Sequence, residues 1–204
     1  CLAAGAGVPD RAVAFDIAAQ VERCDLARLG KDDRRRFAGI VLLAARTARS
    51  AGDAERALQF AELIGRMRPD VGADEAPGSL PALAFETEWL RCDCLLALAR
   101  VDEALSGLDE LARQARDPID MADVYRLRAI AQTVKGAYGP AIDAALQGLQ
   151  VLDIELDPAP APQMLEASYR RCLEKLDGLS MDELLALDDM TDRRARSALA
   201  LLST

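Results

Sequence analysis

The stretch "VKGAYGPAIDAALQGL", residues 134–149, decides the fold class of this chain. A turn containing glycine is followed by small residues three or four positions apart, which places Ala141, Ala145 and Gly148 on one face of a helix. Small side chains on that face let a second helix approach closely. The stretch is therefore predicted to be the turn and second helix of an antiparallel helical hairpin.

Two further stretches share this pattern. They are "SAGDAERALQFAELI" at residues 50–64 and "LARVDEALSGLDELA" at residues 98–112. Alignment of the three stretches puts Ala57, Ala104 and Ala141 in register, at spacings of 47 and 37 residues. Both spacings exceed the roughly 34 residues of a tetratricopeptide repeat, so the array is predicted to be irregular. A Pro- and Gly-rich insert at residues 71–81 accounts for the longer spacing.

Composition favours an all-α fold. Of the 204 residues 51% are hydrophobic and only 4% aromatic, and runs of Val, Ile and Thr at period two are absent. Stretches rich in Pro, Gly and Asp are expected to end helices and start turns. The helices predicted between them lie near residues 10–22, 33–50, 54–67, 82–99, 102–115, 119–135, 139–152, 162–177, 181–188 and 192–202. We expect hairpins stacked as an irregular tetratricopeptide-like superhelix at residues 1–157, and a C-terminal helical cap or connector at residues 158–204.

Charge and hydropathy exclude two classes of partner. The formal net charge of −9 repels phosphate backbones, and no basic stretch is interleaved with aromatic residues, so nucleic-acid binding is not predicted. No apolar run reaches the roughly 20 residues that span a bilayer, which predicts a cytoplasmic chain without a membrane partner. Five scattered cysteines indicate reduced thiols rather than a disulfide framework.

The residues that most enzymes need are missing or badly spaced. The chain has no histidine, which is the usual general base and the commonest metal ligand. It also lacks a Gly-rich loop with the lysine that cradles phosphates. Cys92 and Cys94 are two residues apart, about 200° around a helix, so they cannot share a metal ion. We predict no catalytic residue, no cofactor and no metal site.

Two acidic clusters are predicted to start helices. In "LDDMTD", residues 187–192, a cation site and a helix cap are the two interpretations. A cap from Asp192 is favoured, because a carboxylate there accepts backbone N–H bonds and opposes the helix dipole. In "KDDRRR", residues 31–36, Asp32 or Asp33 is expected to cap the next helix. A helical enzyme using clustered carboxylates with a metal would need two such motifs on facing helices, and the acidic pairs lie at turns.

The predicted first helices of the hairpins carry the candidate partner-binding residues. Trp89 is the single tryptophan, and it is predicted either to pack in the core or to anchor a partner with its amphipathic ring. Arg46, Arg49 and Arg126 occupy comparable first-helix positions. Because first helices line the inner face of a repeat array, these residues are the candidates for contact with an acidic protein segment.

Most of the chain, from about Val21 onward, resembles a known family. The motifs are Tyr-Arg-Leu at residues 125–127, Gly-x-Tyr at 136–138, a Leu-containing exit at 153–157, and Met-Thr-Asp at 190–192. They are similar to the helical repeat region of large bacterial signalling proteins that join a serine/threonine kinase, an AAA-type ATPase and, often, GAF and histidine-kinase modules. Asp153, Asp157 and Arg193 replace a glycine and two prolines of that pattern, so these turns are expected to differ in shape.

The resemblance implies a position within a multidomain protein rather than a catalytic activity. It implies a non-catalytic scaffold or sensor domain that contacts a protein or neighbouring domains of the same chain, between an ATPase switch and output modules. The kinase loops, the P-loop and the phosphoacceptor histidine of the family are missing from this sequence. The alternative is the effector-binding helical domain of an ATPase-type transcription regulator, which uses similar arrays to bind small inducers or proteins.

Overall fold

The computed structural model describes residues 10–67 and 80–204, with side chains described up to residue 67 and from residue 83. Within these ranges the chain is α-helical without strands, which confirms the predicted all-α class. The helices are α1 Arg11–Arg23, α2 Lys31–Ser50, α3 Ala54–Met67, α4 Leu80–Ala97, α5 Val101–Gln114, α6 Pro118–Val134, α7 Tyr138–Val151, α8 Pro162–Leu176, α9 Met181–Leu185 and α10 Arg193–Leu202. Most of the insert predicted at residues 71–81 lies outside the described residues.

Three hairpins, α2 with α3, α4 with α5 and α6 with α7, share one turn geometry. Five residues before each register alanine the backbone is left-handed, with φ of 87° at Gly52, 58° at Ala99 and 73° at Gly136. The next amide N–H then donates to the carbonyl five residues before it, at 3.0, 2.8 and 2.9 Å. The chain therefore reverses direction through the same backbone geometry at each of the three predicted turns.

The register alanines are buried as the sequence predicted. Ala57 and Ala104 are fully buried, and Ala141 is 7% exposed. Helices approach especially closely at Gly107 of α5, where an added Cβ would lie 2.7 Å from the Sγ atom of Cys92 on α4. Small residues on the second helices therefore set the distance between paired helices, because larger side chains would force them apart.

The hairpins pack in chain order. Consecutive helices from α1 to α7 contact one another, α2 also contacts α4, and α4 also contacts α6. The first helices α2, α4 and α6 consequently lie side by side. One core cluster runs from α1 to α6 and includes the fully buried side chains of Phe60, Leu63, Leu95, Leu108 and Leu127.

The C-terminal region combines an exposed segment with a packed helix. Every side chain of α8 is exposed. In contrast, α10 packs against α6 and α7. There Ala198 and Leu201 join Leu149 and Leu152 in a second, smaller core cluster. The array is thus covered at its α6–α7 end by a helix that follows a long connector.

The two predicted helix caps have different outcomes. Asp192 caps α10 as predicted, since its side chain accepts two backbone N–H bonds at 2.9 and 3.3 Å. The prediction for α2 is wrong, because the N-cap position is Gly30 and no side chain caps the helix. Asp32 and Asp33 lie inside the first turn, where their charges still oppose the helix dipole.

Candidate functional site

A pocket of about 350 Å³ opens between α4, α6 and α10. Its lining residues are Trp89 from α4, Ile119, Asp123 and Arg126 from α6, and Arg193, Arg196, Ser197 and Ala200 from α10. Pockets of this volume accommodate a small molecule or a short stretch of a bound peptide. Two of the three helices are first helices of the repeated hairpins.

Trp89 and Arg126 form one wall of the pocket. The guanidinium carbon of Arg126 lies 5.3 Å from the centroid of the Trp89 ring, which is within cation–π distance. The indole Nε1 atom of Trp89 is buried and has no hydrogen-bond acceptor among the described residues. A buried donor without an acceptor is costly and uncommon in folded proteins.

The arginines of the pocket are not neutralised by salt bridges. Arg126, Arg193 and Arg196 make no ion pair within 4 Å in the described part of the chain. Ion pairs are common elsewhere on the molecule, and the chain as a whole carries a net charge of −9. Three cationic groups around one pocket therefore create a local positive site on an acidic protein.

Asp123 is the carboxylate that lines this pocket. Its Oδ1 atom accepts a hydrogen bond from Ser197 Oγ at 3.2 Å, which links α6 to α10. Burial raises the pKa of Asp123, although the Ser197 hydrogen bond and the nearby charges of Arg126 and Arg193 act in the opposite direction. The lining residues thus include one carboxylate and three arginines, so the lining carries excess positive charge.

The four residues predicted to bind a partner fall into two groups. Trp89 and Arg126 come together in the pocket. Arg46 and Arg49 do not line it, because their guanidinium groups pair with two carboxylates of α4 at 2.6 and 2.7 Å. These two arginines connect α2 to α4 instead.

The contribution of α10 to the pocket was not predicted from the sequence. Arg193, Arg196, Ser197 and Ala200 recur at helical spacing on one face of this helix, which is a signal that the sequence does contain. Their meeting with α6 could not be inferred from spacing. Ser197 and Asp123 are 74 positions apart in the chain, and α7, α8 and α9 lie between their two helices.

Of the four described cysteines, Cys24 and Cys172 are exposed, whereas Cys92 and Cys94 are buried. Burial is the main reason why the pKa of Cys92 rises to about 12 and that of Cys94 to about 11, so both thiols are neutral and unreactive at pH 7. In the ranges 10–67 and 80–204, no cluster of three potential metal ligands is found. Nor does any helix there have the length and apolarity needed to cross a bilayer.

Comparison of the chain with protein-family models, curated proteins and solved structures finds no significant match. The resemblance to bacterial multidomain signalling proteins therefore stays a prediction from the sequence motifs.

Proposed function

We propose that this chain is a non-catalytic helical-repeat module that binds an acidic segment of a protein in the pocket between α4, α6 and α10. The observation that carries the proposal is the convergence of Arg126, Arg193 and Arg196 around Trp89, without salt-bridge partners in the described structure. A ligand with carboxylates and an apolar group matches both components of this pocket.

The chemistry of the pocket favours an acidic polypeptide. Guanidinium groups bind carboxylates through charge-assisted and often bidentate hydrogen bonds. The ring of Trp89 and the side chain of Ile119 supply an apolar wall for an adjacent side chain. A nucleic acid fits less well, since the net charge of −9 repels an extended phosphate backbone around the positive pocket.

The repeated turn geometry supports the proposed superhelix. Three hairpins reverse at the same left-handed position, and their first helices lie side by side. In a tetratricopeptide-like arrangement those first helices line the inner face, which is the surface where extended segments bind. The pocket is built on two of these first helices and is closed by α10.

The wider role follows from the motif resemblance. In a cytoplasmic signalling protein with kinase and ATPase modules, the acidic segment would belong to a neighbouring domain or a partner protein. The alternative role, in an ATPase-type transcription regulator, would use the same pocket for a small acidic inducer. Both roles require neither a cofactor nor catalysis by this segment.

Binding is tested with a defined peptide and the natural fluorescence of Trp89. The 204-residue chain is titrated with acetyl-Glu-Leu-Glu-Glu-Leu-Glu-amide and with its glutamine counterpart. We expect only the acidic peptide to change the fluorescence. Arg196→Gln should weaken binding roughly ten-fold, which corresponds to about 1.4 kcal/mol for the loss of one charged contact.

The matched control is Arg66→Gln, which removes the same charge from an exposed position on α3. The affinity of this variant for the acidic peptide should stay within about two-fold of that of the unsubstituted chain, since exposed charges at a distance are screened by salt. Equal binding of the acidic and glutamine peptides would count against the proposal. Equal losses from the Arg66 and Arg196 substitutions would assign any binding to net charge rather than to the pocket.

A further inference from the structure

The pocket is assembled from two parts of the chain that are far apart in sequence. α4 and α6 supply Trp89, Asp123 and Arg126, and α10 supplies Arg193 and Arg196. Between α7 and α10 the chain runs through α8 and α9, and residues 161–183 are all exposed. The connector therefore does little to hold α10 in place, and the pocket exists only while α10 is docked.

A small interface holds α10 on the array. Leu201 packs with Leu149 and Leu152 in a cluster that is separate from the main core. Arg194 donates to the backbone carbonyl of Leu152 and forms an ion pair with Asp153 at 3.1 Å. An element with few buried apolar groups opens at a lower free energy than the core, so α10 is expected to open before the hairpins do.

Docking of α10 brings charges of both signs together with those of α6. Closure brings Arg193 and Arg196 to the same pocket as Arg126, and like charges repel. The carboxylates of Asp120 and Asp123 on α6 attract Arg193 and so compensate in part. An anion that binds between these arginines would contact all three of them only in the closed state and would therefore stabilise that state.

We propose that α10 is a latch, which opens and closes on the α6–α7 hairpin independently of the array and is closed by the bound acidic segment. The identity of that segment rests on the proposed function. Closure holds both ends of the connector, residues 153–192, against the array, and opening releases its α10 end. Occupancy of the pocket is thereby converted into a change in the position of the connector.

Hydrogen exchange of the ligand-free 204-residue chain tests the latch without any peptide. Amides of residues 197–202 in α10 should exchange at least roughly ten-fold faster than the interior amides of α6 and α7, as expected for independent local opening. Equal protection of the three helices would overturn the latch, because α10 would then open only when the hairpin unfolds.

Two substitutions shift the latch in opposite directions. At Gly148 an added Cβ would lie 2.8 Å from Leu201 Cδ2 and 3.0 Å from Tyr125 Cβ, so Gly148→Ala should speed the exchange of α10 several-fold. Gly139→Ala on the same helix is the control, because no atom lies within 4 Å of the added Cβ.

Arg196→Gln should slow α10 exchange by roughly two-fold, because it removes the repulsion of Arg196 by the other arginines of the pocket. Identical effects of the two glycine substitutions, or no slowing with Arg196→Gln, would contradict the latch.

The acidic hexapeptide then tests the coupling. At ten times its dissociation constant it should slow α10 exchange roughly ten-fold, if the open state does not bind it. Saturation of the Trp89 signal without slower α10 exchange would refute the latch and leave the binding proposal intact. Absence of any Trp89 response would refute the binding proposal, and the ligand-free exchange rates would still decide whether α10 opens independently.

Discussion

Ala99 has the left-handed backbone conformation that glycine adopts in the two equivalent turns. The left-handed position is Gly52 in the α2–α3 turn and Gly136 in the α6–α7 turn, but alanine in the α4–α5 turn. A side chain at positive φ is strained, because its Cβ approaches the backbone carbonyl. The turn after α7 shows the same tolerance, since Asp153 has a φ of 51°.

Replacement of Ala99 by glycine should stabilise the protein. Relief of the left-handed strain gains roughly 1 kcal/mol, and the greater freedom of glycine in the unfolded chain offsets about half of it. We expect a net gain of roughly 0.5 kcal/mol, or about 1–2 °C in melting temperature for a chain of this size.

The comparison substitution is Ala97→Gly at the exposed end of α4. It should destabilise by roughly 0.5–1 kcal/mol, because helical backbone favours alanine. Thermal melting of both variants measures the two effects. Destabilisation by both substitutions would show that the Ala99 turn is not strained.

α6 belongs both to the main core of the hairpins and to the lining of the pocket. It carries Asp120 and Asp123 on the side that faces α10, and burial is the main cause that raises the pKa of each carboxyl. Asp117 adds to both increases, whereas Arg193 lowers both and the hydrogen bond from Ser197 lowers that of Asp123. The folded state thus holds these protons more tightly than the unfolded state.

Stability should therefore depend on pH through these two residues. A raised carboxyl pKa stabilises the folded state at low pH, and this contribution is lost as pH rises from the ordinary value of about 4 through the raised values. Compared with wild type, the variant with Asp120→Asn and Asp123→Asn should gain melting temperature as pH rises from 3 to 7. Asp16→Asn on the exposed face of α1 is the control. A constant difference at every pH would contradict this assignment.

Local sequence patterns predicted the helices, whereas long-range contacts between helices determine the pocket. Pro, Gly and Asp end helices by local stereochemistry, and small residues at helical spacing predict close packing, so the burial of Ala57 and Ala104 could be anticipated. The pairing of Arg49 with Asp93 and the meeting of Arg196 with Arg126 depend on how helices stack. Residue spacing in a single sequence does not predict such contacts between helices.

The indole N–H resonance of Trp89 reports whether an acidic segment binds in the α4–α6–α10 pocket. The chain has one tryptophan, so its ¹H–¹⁵N spectrum has one indole signal, from a donor that is buried beside the pocket without an acceptor among the described residues. Addition of the acidic hexapeptide should shift this signal with saturation, and Arg126→Gln should weaken the response. Saturable binding of the peptide, measured by calorimetry, with no movement of the Trp89 signal would place the binding surface elsewhere and contradict the proposed function.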